Sequence, residues 1–245
     1  SSVTFTLSDF VETLILTGTG ITGTGSAQDN TITNSGGVNT LVGGLGNDTF
    51  NVANTGDTVS DSGAGTDTVN SAVSFTITDD DVENLTLTGS SGVSATGNAS
   101  ANTITGNSGN NMLTGLGGAD IIDGGNGTDT ASYAASASGV TISLTGAVGS
   151  GGDAAGDTLT NVENLTGSAS ADVLTGTDSG NNVLTGLGGG DQLFGGTGGS
   201  DTASYAGSAA VDVNLNTGAV SGGDAVGDTF NSIENLTGSD NNDTL

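Results

Sequence analysis

Apolar residues in this chain are sparse and regularly placed. From Gly97 it reads GNASANTIT, GNSGNNMLT, GLGGADIID and GGNGTDTAS, blocks that begin nine residues apart at Gly97, Gly106, Gly115 and Gly124. Each block has Asn or Asp sixth and Ile, Leu, Ile or Ala eighth. A Gly-rich polar stretch followed by a polar, apolar, polar triplet predicts a tight turn leading into a three-residue strand that buries only its middle side chain. The frame recurs from Gly25 as GSAQDNTIT, NSGGVNTLV and GGLGNDTFN, and erodes through VANTGDTVS to SGAGTDTVN, ending at Asn70 with one extra residue, Asp61. A third array runs from Gly167 to Ser204 with two one-residue insertions. Glycines at positions one, two and four permit positive φ, and position six puts an oxygen donor into the turn. One apolar anchor per repeat does not offset the entropy of ordering the other residues. Strand hydrogen bonds and a further source of stability must make up the difference.

A longer repeat is laid over the short one. Val82-Glu83-Asn84-Leu85-Thr86 returns at 162–166 and, with Ile first, at 233–237, and Val11-Glu12-Thr13-Leu14 is a degenerate copy; from Glu12 the steps are 71, 80 and 71 residues. Thr130-Ala131-Ser132-Tyr133 returns as Thr202-Ala203-Ser204-Tyr205, and the Gly151 to Thr158 segment returns from Gly222 to Thr229. The predicted organisation is a partial inter-array β module over 1–24, arrays over 25–70, 97–132 and 167–204, inter-array modules over 71–96, 133–166 and 205–237, and the start of a further repeat over 238–245. Val3-Thr4-Phe5-Thr6-Leu7 matches Val73-Ser74-Phe75-Thr76-Ile77, and Leu245 stops partway through a repeat, so the chain reads as a piece of a longer one.

Charge narrows the chemistry. The 245 residues include 27 acidic side chains and no Lys, Arg or His, a net charge of −27. Nucleic acid and anionic membrane surfaces would repel such a chain. With neither His nor Cys there is no imidazole base, no thiolate and no zinc or haem ligand set of the usual kind. No apolar run is long enough for membrane insertion. What remains are carboxylates, hydroxyls and amides, hard oxygen donors that suit calcium better than magnesium, which demands near-ideal octahedral geometry. The lack of Cys leaves the redox compartment open.

GGLGNDTFN, GLGGADIID, SGAGTDTVN and GGNGTDTAS resemble the GGxGxDxUx nonapeptide of the RTX (repeats-in-toxin, haemolysin-type) calcium-binding family. That resemblance implies an all-β chain, a parallel β-roll or β-solenoid in which successive nonapeptides go to opposite sheets and several calcium ions sit between the turns of repeats n and n+2. The inter-array modules resemble those linking RTX arrays in very large bacterial surface proteins. Pairing n with n+2 joins Asp48 to Asp67 and Asp172 to Asp191 as all-Asp sites, and Asn102 to Asp120, Asn111 to Asp129 and Asn182 to Asp201 as mixed ones. Asp57 stands at position six of an eroded repeat, and Asn30, Asn39, Asn102, Asn111 and Asn182 keep an oxygen there without the charge, which predicts weaker sites.

Asp153 with Asp157, and Asp224 with Asp228, lie four apart in Gly-rich loops and read equally as a second type of calcium site or as solvated loop. Glu83, Glu163 and Glu234 read as caps of such sites or as plain strand positions. The Asn-Leu-Thr and Asn-Asp-Thr sequons arise by chance in a chain so rich in Asn and Thr. Tyr133 and Tyr205 read as caps over the interior of the last coil of an array. No charged, amphipathic cap stands at Ser1 or at Asp243-Thr244-Leu245, so either another copy covers those ends, which predicts head-to-tail association, or the neighbouring sequence of a giant chain does.

Together these features predict a non-enzymatic, calcium-binding structural module, secreted to the bacterial cell surface or beyond, as part of a fibre, surface layer or adhesin. The alternative is the calcium-binding C-terminal region of a secreted enzyme or toxin whose catalytic domain lies outside this chain. A carboxylate-pair glycosidase lacks the Trp platforms it would need, and the Thr rows, such as Thr31 and Thr33, are too irregular for ice binding.

Overall fold

The computed structural model describes residues 3–63 and 65–245, so Ser1 lies outside the described residues. The chain is all-β and winds as a solenoid of about 11 coils. Strands of two to four residues alternate between two faces. One face begins as a four-stranded sheet from Val3–Thr6 to Thr58–Ser60 and continues as an eight-stranded sheet from Phe75–Thr76 to Asn235–Thr237. The opposite face is an eight-stranded sheet from Thr13–Leu16 to Thr158–Thr160, followed by a four-stranded sheet from Thr141–Ser143 to Thr229–Asn231. All four sheets are parallel, and Asp212–Asn214 pairs with Ala219–Ser221 as an antiparallel ribbon.

The polar, apolar, polar triplet explains the core. In Thr103–Thr105 only Ile104 is buried, and it registers between Leu85 and Ile122 on the neighbouring strands. On the other face Leu113 lies between Ala95 and Ala131 in the same way. The interior is therefore two facing ladders of single apolar side chains. Phe50, Leu41, Leu165, Leu174, Leu184 and Leu193 are among those that are essentially inaccessible.

Residues 71–96 and the two later inter-array segments feed strands into the same sheets as the arrays, so the solenoid runs through them. The usual step from one coil to the next is 18 residues, as from Ile32 to Phe50. From Ile122 to Leu159, and again from Leu193 to Phe230, it is 37. The added residues make an excursion that includes a short 3₁₀ helix, Gly152–Ala154 in one copy and Gly223–Ala225 in the other. Within the first excursion Thr141–Ser143 opens the four-stranded sheet that takes over the second face.

Coils approach closely where position one is glycine. A Cβ on Gly124 would collide with Asn161 O, and moving the coils apart to relieve it would stretch the bond from Gly124 N–H to Thr160 O, now 3.0 Å. Gly124→Ala is expected to destabilise the fold by about 1–3 kcal/mol, the usual cost of overpacking. A thermal melt in calcium reads this, and an unchanged midpoint would mean that the coils part there at no cost.

Candidate metal centres

Position six forms a ladder that runs from coil to coil. The N–H of a position-six residue, Asp57 excepted, donates to the side-chain oxygen of its counterpart one coil further on: Asn30 to Asp48 Oδ1 at 2.7 Å, Asp48 to Asp67 Oδ1 at 2.6 Å and Asn102 to Asp120 Oδ1 at 2.8 Å. Asn39 donates to Asp57 at 2.9 Å, Asn111 to Asp129 at 2.7 Å, Asn182 to Asp201 at 2.8 Å and Asp172 to Asp191 at 2.9 Å. The residues paired in sequence as repeats n and n+2 are thus neighbours in space, and these position-six residues are all buried.

The ladder also takes in residues outside the nonapeptide frame. Glu83 Oε2 accepts Asp67 N–H at 2.8 Å, Glu163 Oε2 accepts Asp129 N–H at 2.7 Å and Glu234 Oε2 accepts Asp201 N–H at 2.9 Å. The recurring Glu of the long repeat is therefore a position-six residue with a longer arm. Asp157 and Asp228 do the same for Asp120 and Asp191, at 2.8 and 2.9 Å. The sequence signal was present in each Glu-Asn-Leu-Thr segment, since its Asn-Leu-Thr is the strand triplet and Glu stands just before it.

Saturation separates the turns. Asp48, Asp67, Asp120, Asp129 and Asp191 each bury an Oδ2 that has no hydrogen-bond partner. A buried carboxylate oxygen facing no donor is costly, and in a chain without a basic side chain nothing internal can offset it. Burial pushes these carboxyls above their ordinary range, Asp67 to about 6 and Asp120 and Asp191 to about 7, with smaller upward pushes from neighbouring carboxylates. Burial likewise raises Asp48 and Asp129. A hard cation fits these five positions: it would supply the positive partner that each oxygen lacks.

Asp57 and Asp172 carry protein donors on both oxygens. Asp57 accepts Asn34 Nδ2 on both oxygens, along with Asn39, Ala53 and Asn54 N–H groups. Asp172 takes the Ser168 N–H and hydroxyl, at 2.6 and 2.9 Å, besides Val140 N–H. The stacked carboxylates Asp172 and Asp191 are therefore unequal, with only Asp191 holding an unpartnered oxygen.

The Asn turns are self-contained. Asn102 Oδ1 accepts Asn98 N–H within its own turn, while Nδ2 donates to Val82 O and Glu83 O one coil back. Asn111 Oδ1 and Nδ2 bond Asn107 N–H and Val93 O, and those of Asn182 bond Thr177 N–H and Glu163 O. Asn30 and Asn39 also send Nδ2 to the preceding coil, to Val11 O and Gly18 O. An amide can link coils because it carries a donor as well as an acceptor, which a carboxylate does not.

The two excursions repeat one arrangement. Tyr133 OH donates to Asp157 Oδ2 at 3.0 Å, and Tyr205 OH to Asp228 Oδ2 at 2.7 Å, all four side chains buried. Burial raises both tyrosines far above their usual range, helped by these carboxylates. Burial also raises Asp157 and Asp228, against the lowering effect of their donors. Asp153 and Asp224 sit in the 3₁₀ turns and donate their N–H groups to Ser136 and Ser208 Oγ. Each oxygen of Asp157 and of Asp228 thus meets one protein donor.

Residues 22–51, 96–131 and 166–202 match the RTX calcium-binding nonapeptide repeat. These segments are RTX repeats. No curated protein matches it. The RTX segments contain Asp48, Asp120, Asp129 and Asp191, four of the five positions with an unpartnered buried oxygen, and Asp67 lies beyond them. RTX repeats bind calcium, which agrees with the all-oxygen donor set of these turns.

Proposed function

We propose that this RTX chain is a calcium-stabilised structural module of an extracellular bacterial assembly, a fibre, surface layer or adhesin. The observation that carries the reading is the set of five buried, unpartnered carboxylate oxygens in a chain with no cation of its own. Coil-to-coil bonds run along the solenoid, and the strand Val3–Thr6 is exposed along its whole length. Copies of charge −27 repel one another unless divalent ions sit between them, so assembly is calcium-dependent in this reading. Among the described residues no helix is long and apolar enough to cross a membrane. In this reading the module has no catalytic role; its side chains include no His, Cys, Lys or Arg, and the groove over Phe75 is lined mainly by Thr and Ser hydroxyls.

Electron microscopy and light scattering with millimolar calcium and after chelation test the assembly. Filaments or arrays that dissolve on chelation are the expected result. A stable monomer in both conditions would remove self-assembly and favour the alternative, a calcium-binding region that serves an enzyme domain outside this chain.

A further inference from the structure

Position one, glycine in the first two coils, becomes an aspartate in the third. Gly25 N–H donates to Val42 O and Gly43 N–H to Ser60 O, which places Gly25, Gly43 and Asp61 one above the other. From Asp61 to Asp67 the turn runs one residue longer than from Gly43 to Asp48. Asp61 is buried and held from two coils, Oδ1 accepting Gly44 N–H at 2.9 Å and Oδ2 accepting Gly63 N–H at 2.8 Å, one donor per oxygen, which leaves each a lone pair for a cation. Its carboxylate faces Asp48 and Asp67, whose Oδ2 atoms have no partner. One carboxylate oxygen from each of the three lies within 4.8 Å of the other two. A Cβ on Gly43 would run into Asp61 Oδ1 and Asp48 Oδ2, so the space that this glycine leaves open is the floor of the cradle.

We propose that Asp48, Asp61 and Asp67 form a three-carboxylate site for a hard divalent cation of calcium's class, and that it is the tightest such site in the chain. The inference rests on the calcium reading of the repeats and adds a ligand that the repeats do not supply, since Asp61 stands outside both the nonapeptide frame and the matched segments. Three carboxylates around one ion give it more neutralising charge than the other turns, where a single Asp120, Asp129 or Asp191 oxygen is unpartnered.

Calorimetric titration of the full chain with calcium, after chelation and removal of the chelator, tests this. The parent is expected to show one tight step ahead of weaker ones. Asp61→Asn should weaken that step at least tenfold, while Asp240→Asn, an exposed position, should leave it in place. Gly43→Ala keeps all three carboxylates but fills the cradle; it should lose the same step, and it decides the matter if Asp61→Asn does not fold. A tight step retained in Asp61→Asn, or in Gly43→Ala, overturns the three-carboxylate site alone. A parent that takes up no calcium overturns the calcium reading on which it rests.

Discussion

In excess chelator at about pH 8 the chain is expected to lose most of its β-sheet circular dichroism, and to regain much of it on acidification to about pH 5. The reason lies in five buried carboxylates whose second oxygen meets no donor. Burial raises their pKa, from an ordinary 3.8 to about 6 at Asp67 and about 7 at Asp120 and Asp191. A raised carboxyl favours the folded chain while it is protonated. That contribution is complete below the unfolded value and disappears as pH rises through the folded one, so the window runs from about pH 4 to about pH 7. With screening, each protonated group recovers on the order of 1 kcal/mol. For three of them, a chain of this size should gain roughly 6–12 °C in thermal midpoint. Calcium should invert the trend, because the ion needs the carboxylate and competes with the proton. A β signal unmoved by chelator at neutral pH, or a chelated chain that becomes less stable on acidification to pH 5, would contradict this account.

Asp120→Asn combined with Asp191→Asn is expected to act in opposite directions in the two conditions. In chelator the variant should melt above the parent by on the order of 2–4 kcal/mol, because two buried charges without counter-ions are gone and each new amide carries a donor. The chain already contains the design: Asn102, one coil before Asp120, sends its Nδ2 to Val82 O and Glu83 O while its Oδ1 closes its own turn. In calcium the same variant should fall below the parent, since two charged ligands have been removed. Paired thermal melts give the answer, and the decisive observation is whether the order of the two proteins reverses between chelator and calcium. A variant less stable in both would show that Asn102 N–H and Asp172 N–H depend on a carboxylate acceptor more than the fold gains from losing the charge.

Much of this was legible in the sequence because a nine-residue period states its own geometry. The strand triplets around Ile104 and Leu113, and the stacking of position six on position six, follow from the frame alone. The ligand environment was less legible. Asp172 and Asp191 look alike in sequence, yet Ser168, four residues before Asp172, fills the oxygens of one and not the other. Charge at position six could rank the Asn turns below the Asp turns, but it could not show that the amide bonds the neighbouring coil by itself. Asp61 looked like an interruption of the frame. Only the register between coils shows that it stands where Gly43 does, and that register depends on hydrogen bonds between residues 17 apart. Asp157 and Asp228 sit in loops by sequence, and the partners that bury them, Tyr133 and Tyr205, lie 24 and 23 residues earlier.

The two excursions give the molecule a mechanical character. About 11 coils stacked at the spacing of neighbouring strands, about 4.8 Å, make a rod roughly 50 Å long. Residues 133–157, drawn out straight, would reach about 80–90 Å, further than the whole folded rod. Part of that length is built into the stack, since Thr141–Ser143 pairs with Val173–Thr175 and buries Ile142, and the Tyr133 hydroxyl on Asp157 ties the two ends of the excursion together. Tension along the rod would have to break that tie and peel Thr141–Ser143 from its sheet before the excursion lengthens, and the length then released would more than double the span.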